Sequence, residues 1–246
     1  MKPNTIFQDL SIIIATSNHN PRILTHDFLK CSDIIPMDWE LAQQPIVGDQ
    51  GSQVIFTNAL SLVAQPERLM FVEVFGDKNI ADLQIAAIAH KYLKALPNIE
   101  CQAIGINLRS YASPTETDGE AEVQNYMQSL LAPGPWQTVG QEPIQPTIRL
   151  TFTLKHTQFN LSINEGQLHQ PEQASSPIVL FSGNFSYNVI GETKEGRLAS
   201  LTQSLNNWKT DLETYQEIIN TKFIAPKFPI LQDAPEALNQ ELITAR

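Results

Sequence analysis

Between Gln53 and Leu96 the chain runs through three short β-rich segments and then an amphipathic one. No other stretch constrains the fold as much. Val54, Phe56, Leu60 and Leu62 place apolar side chains at period two, with Gln53, Thr57 and Ser61 between or beside them. That alternation means strands with one face buried and the other at least partly wet; Ile55 and Val63 are its apolar exceptions. The third segment, Leu69 to Phe75, is apolar on both faces except at Glu73, as expected of a strand near the middle of a sheet. Asn58-Ala59 and Gln65-Pro66-Glu67-Arg68 punctuate the three, which predicts an antiparallel meander. Ala tolerates positive φ poorly, so a longer or distorted turn is expected at Asn58-Ala59. Ile85, Ile88, Ala89, Tyr92, Leu93 and Leu96 then recur at helical spacing, after an expected N-cap at Asn79 and before a stop at Pro97. A sheet with a helix laid across it follows.

The flanking segments repeat the theme. Ile6 to Thr16 reads as a strand, closed by the turn-rich Ser17 to Pro21. Pro36 interrupts Ile23 to Leu41, leaving an extended piece and a short turn of helix. Glu100 to Arg109 is a strand. Thr117-Asp-Gly-Glu120 is a capping-box pattern ahead of a helical stripe at Val123, Tyr126, Met127, Leu130 and Leu131. Ile148–Leu154 and Phe159–Ile163 read as a hairpin, Glu165–Pro177 as a polar connection, and Ile178–Tyr187 as a longer strand with a bulge expected at Gly183. A long helix from about Arg197 to Lys222 closes the body. The expected class is α+β: antiparallel sheet from two meander-like groups, helices on one face. Residues 1–223 form one domain with candidate halves 1–97 and 98–223, either a pseudo-duplication or one sheet extended by successive hairpins.

With 26 acidic and 16 basic residues the net charge is −10. An acidic chain without a Lys/Arg cluster is not expected to bind nucleic acid. No segment is long and apolar enough to predict membrane insertion, and the start shows no signal-peptide pattern, so a cytoplasmic location is expected. Cys31 and Cys101 stand alone, outside any metal or redox spacing. The strings Thr25-His-Asp-Phe-Leu29, Ile35-Pro-Met-Asp-Trp39 and Gln53-Val-Ile-Phe-Thr-Asn58 resemble bacterial proteins of uncharacterised function over the first third of the chain. The resemblance implies no activity, catalytic residue or cofactor.

Neither a nucleophile elbow nor a Gly-rich phosphate loop in the required context is found, and no cofactor or metal is expected. Two sets of side chains are candidates for chemistry. His19, His26 and Asp27 are close in sequence and would make a loop-built site for an enzyme or a small-ligand binder. Glu73 and Asp77 lie on and just after a strand, where Glu73, if buried between Phe71 and Phe75, needs a partner or a raised pKa. Histidines His90 and His156 read as solvated. The main interaction signal is the last helix, where Leu198, Leu201, Leu205, Trp208, Leu212, Tyr215 and Ile219 alternate at three and four among polar residues. Two readings stay open: the stripe covers the second meander, which the bulk of Trp208 and Tyr215 favours, or it is a seam for another helix. Residues 224–246 read as a docking tail, with Phe228, Ile230 and Leu231 extended by Pro226 and Pro229, and Leu238, Leu242 and Ile243 on a short helix. The functional expectation is a non-catalytic interaction or assembly protein, a homo-oligomer or complex subunit whose partner is a protein or itself.

Overall fold

The computed structural model describes residues 5–17, 19–114, 119–169, 175–225 and 242–245. The strands are β1 (Ile6–Ser17), β2 (Ser52–Ile55), β3 (Leu60–Gln65), β4 (Arg68–Val74), β5 (Glu100–Ala112), β6 (Ile148–Thr153), β7 (Gln158–His169), β8 (Ser176–Asn188) and β9 (Leu242–Ala245). The helices are α1 (His26–Cys31), α2 (Ile85–Ala95), α3 (Gly119–Ser129), α4 (Lys194–Asn206) and α5 (Trp208–Ile218). All strands join one sheet in the order β2-β3-β4-β1-β5-β8-β7-β6, with β9 also on β7. Every pairing is antiparallel. Read outward from the β1–β5 seam, each half presents its first strand, then the last, middle and first strands of its meander.

The α+β class with an antiparallel sheet is as the sequence predicts. The Asn58-Ala59 turn is longer than a two-residue hairpin turn, also as the sequence predicts: the Phe56 N–H bonds the Leu60 carbonyl at 2.9 Å around a three-residue loop of Thr57, Asn58 and Ala59, with the Ala59 N–H on the Phe56 carbonyl at 3.2 Å. Ala59 takes φ 63°, the left-handed conformation that favours Gly. Its carbonyl accepts from the Val74 N–H at 3.0 Å, which holds the strained residue in place. Several local features differ. Asn79 opens a 3-10 turn, Ile80–Asp82, and α2 starts only at Ile85. β7 continues past Ile163 to His169, through residues read as a polar connection. β8 carries no bulge at Gly183, whose register with Leu108 and Leu161 is regular. The last long helix is two helices, α4 and α5, followed by a π-helical turn at Ile219–Ile224. Leu242 and Ile243 lie in a strand paired with Leu168 and His169, not on a short helix. The capping box at Thr117 and the tail residue Leu238 lie outside the described residues.

One apolar cluster runs under the sheet from Val54 in β2 to Phe152 in β6, and the stripes of α2, α3, α4 and α5 enter it. α2 packs on β1 and β4, α3 on β7 and β8, and α4 and α5 on β5. The helices therefore occupy one face. Tyr215 shows how closely they approach. Gly183 has no side chain, so the Tyr215 ring settles on the sheet there; a Cβ on Gly183 would stand 2.6 Å from the ring. The Tyr215 hydroxyl donates to the Phe181 carbonyl at 3.0 Å and meets the Ser110 hydroxyl at 2.7 Å.

Candidate functional site

The helical stripe that suggested a seam faces the chain's own core. Leu201, Leu205, Trp208, Leu212, Tyr215 and Ile219 are all buried against the sheet, and Leu198 alone is exposed, at 44%. The reason is width: the paired strands β5 and β8 fill the space beneath α4 and α5 and use the stripe from Leu201 onward. Leu198 borders a shallow surface groove of about 560 Å³ with Glu195, Ala199, Thr202, Gln203, Asn206 and Asn207. Phe228, Ile230 and Leu231 lie outside the described residues.

The loop-built candidate does not converge. His19 is buried, with Nε2 3.3 Å from the Tyr92 hydroxyl, and burial lowers its pKa, so the ring is held neutral. His26 turns to the Phe56 ring, with centroids 6.1 Å apart, and Asp27 is exposed in the first turn of α1. Among the described residues no group of three His, Cys, Asp or Glu side chains is placed to hold a metal. Cys31 is exposed and Cys101 is buried, both as free thiols, and burial pushes the Cys101 thiol up to about 11.

Glu73 is buried between the phenylalanines, and its partners come from the segment that follows. One carboxylate oxygen accepts from the backbone N–H groups of Gln84 and Ile85, both at 2.8 Å; the other pairs with Lys78 Nζ at 2.9 Å. A helix leaves its first N–H groups without partners, and here a strand carboxylate satisfies them and complements the helix dipole. Glu73 is thus the cap of α2, and Asp77 stays exposed. Asp211 is a second buried carboxyl. It accepts the Tyr187 hydroxyl on both oxygens, at 2.7 and 2.9 Å, and burial pushes its pKa up to about 6. Asp9 pairs with Arg109, Nε to Oδ2 at 2.8 Å, with burial raising its pKa against that pairing.

What the helices leave open is the other face of the sheet. Its register aligns two complete rows across eight strands. One row reads Ile55, Ser61, Val72, Ser11, Asn107, Asn184, Asn160, Thr151; the other reads Gln53, Val63, Met70, Ile13, Gly105, Ser186, Gln158, Thr153. None of these residues is buried, and none is charged. Ile13, Ile55, Val63, Met70 and Val72 make an apolar end. The other end is an amide and hydroxyl ladder, in which Asn184 Nδ2 donates to Asn107 Oδ1 at 2.7 Å and Thr151 Oγ1 to Asn160 Oδ1 at 2.9 Å. The rows on either side bring Arg68, Arg109 and Arg149, with Asp9 already paired to Arg109. At one end this face is closed: Tyr111, Leu168, Ile178 and Leu180 form a buried satellite cluster, with Ile6 packed against it.

Reading strands one at a time misses this surface, because its residues come from eight segments and become neighbours only through register. The available signal was the uncharged residue between core positions on strand after strand. No described helix is long and apolar enough to cross a membrane. No protein-family model matches the chain, and no curated protein matches it either.

Proposed function

We propose that this chain is a non-catalytic assembly protein that docks a second copy of itself through the uncovered sheet face. The carrying observation is the charge-free double row. Protein surfaces ordinarily place a charge at about a quarter to a third of positions, so a patch this size would hold about four or five. This chain has 42 Asp, Glu, Lys and Arg residues to place, by its counts of 26 and 16, and sets none there. Depletion of charge at the centre is what distinguishes an interface core from the rest of a surface.

A second copy fits for two reasons. The apolar end can lie on its own counterpart about a twofold axis, and amides and hydroxyls both donate and accept, so the polar end is complementary to itself. Strands about 4.8 Å apart give the two rows roughly 500 Å², and roughly 1,000 Å² with the flanking rows, spanning the ~800 Å² per partner of a stable interface.

Met70→Lys places a charge in the apolar end at a half-buried position outside the apolar core. Sedimentation equilibrium should find wild type associated at ~100 µM and the variant at half its mass or less, with cooperative thermal unfolding kept. A monomeric wild type, or a variant of unchanged mass, overturns the proposal.

A further inference from the structure

The two ends of the sheet are finished differently. Outside β2, the Ile46 and Ala42 N–H groups bond the Gln53 and Ile55 carbonyls at 3.0 and 2.9 Å, and the Gln53 N–H returns to Ile46 at 2.8 Å. A loop thus occupies that edge. At the other end, β6 has a hydrogen-bonded neighbour on one side only among the described residues. β9 lies on the same side of β7 but beyond the start of β6, at Gly166 to His169. An open edge is normally blunted by Lys, Pro, a bulge or a covering segment. β6 runs Ile148-Arg-Leu-Thr-Phe-Thr153 in unbroken register, with Arg149 its one charge.

Its side chains are also unfinished. Ile148, Leu150 and Phe152 point to the helix face yet stay only half-buried. Phe152 is the outermost member of a stack, 5.8 Å from Phe159, which is in turn 4.5 Å from Phe185. The ladder stops where another strand would continue it.

We infer that β6 pairs with β6 of a second copy, edge to edge and antiparallel about Thr151, extending the sheet across the two chains. The backbone sets this register. The hairpin closes with the Leu154 N–H on the Thr157 carbonyl at 2.9 Å. Antiparallel bonding alternates, so Phe152, Leu150 and Ile148 turn their polar groups to β7, while Arg149, Thr151 and Thr153 turn theirs outward. Two such edges must match outward residue to outward residue. Centred on Thr151, Thr151 meets Thr151, Arg149 meets Thr153 and Leu150 meets Phe152, making about six backbone hydrogen bonds. Centring on Arg149 would oppose two arginines, centring on Thr153 would run into the hairpin turn, and centring on Leu150 or Phe152 also matches outward residues but makes only about four bonds within β6. This contact goes beyond the proposed face contact, because it uses the outward backbone groups of β6 and not the side chains of the face, and it lengthens the sheet without covering it.

Thr151→Pro tests it with little cost to the fold. The N–H it removes points outward, a position where an edge strand accepts Pro; because the Thr151 side chain also ends a row of the face, Thr151→Ala, which removes that hydroxyl and keeps the N–H, is the control and should match wild type in mass. Together with Met70→Lys, Thr151→Pro separates the two contacts by sedimentation. Met70→Lys alone should remain a dimer through the edge, Thr151→Pro alone a smaller assembly than wild type, and the double variant a monomer. A monomeric Met70→Lys protein overturns the edge pairing while leaving the face reading intact. Unchanged mass for Met70→Lys with loss in Thr151→Pro does the reverse. Should Thr151→Pro fail to fold, amide exchange of the Met70→Lys protein decides. The Arg149, Thr151 and Thr153 amides should exchange at least about tenfold faster on dilution to monomer, and no concentration dependence overturns the pairing.

Discussion

Gly183→Ala adds one methyl group where the structure has no room for it. The new Cβ would stand 2.6 and 2.7 Å from Tyr215 Cδ2 and Cε2 and 2.8 Å from Phe159 Cε2. Both rings are fully buried, so neither can swing into solvent. Ordinary contact needs a retreat of roughly 0.8 Å, and overpacking of this kind costs about 1–3 kcal/mol. If Tyr215 gives way, its hydroxyl leaves Ser110 and the Phe181 carbonyl, adding about 1–3 kcal/mol for polar groups stranded in the core. Against that, Ala in a strand regains about 0.5–1 kcal/mol of backbone entropy. The net expectation is a loss of about 2–4 kcal/mol, a fall of roughly 5–12 °C in Tm for a chain of this size. Urea denaturation of Gly183→Ala, Tyr215→Leu and the double variant gives the cycle. With the ring gone, the Ala should cost at least about 1 kcal/mol less. Wild-type stability for Gly183→Ala, or the same cost with and without the Tyr215 ring, would refute the close approach of α5 to β8.

Two further outcomes follow from the buried carboxyls. Glu73→Gln should cost about 2 kcal/mol, since charge-assisted bonds to two helix N–H groups and to Lys78 are weakened, and exchange of the Gln84 and Ile85 amides should quicken; an unchanged urea midpoint counts against the cap. Asp211 has its folded pKa raised to about 6 from an ordinary 3.8. Its contribution is therefore fully present below pH 4 and lost as pH rises through 6, a swing of about 2–3 kcal/mol. Asp211→Asn should remove that swing, so a Tm difference between variant and wild type that stays flat from pH 4 to 7 refutes the raised pKa.

The period of the apolar residues determined much by itself. Val54, Phe56, Leu60 and Leu62 mark strands, and Ile88, Tyr92 and Leu93 mark a covering helix, because burial of one face imposes a repeat of two or of 3.6 on local sequence. The antiparallel α+β class followed from those repeats together with the turn residues. Fine geometry was legible only where a local rule decided it. Ala59 breaks the preference for Gly at positive φ because Val74, fifteen residues on, bonds its carbonyl. Glu73 reads as an awkward acid in a strand until Gln84 and Ile85 bring their N–H groups to it. Gly183 looks like a bulge until Tyr215 arrives.

Tertiary structure alone decided which surfaces are spent and which remain. The heptad-like stripe of α4 and α5 carries the same pattern whether it faces a partner helix or a sheet, and only the position of β5 and β8 beneath it settles that. The uncovered face is the converse. Ser11, Asn107, Asn184, Asn160 and Thr151 sit on five strands drawn from distant parts of the chain, and side-chain period two says only that each points away from the core. Strand order and register make them one row, since those are set by long-range pairing and not by the local repeat.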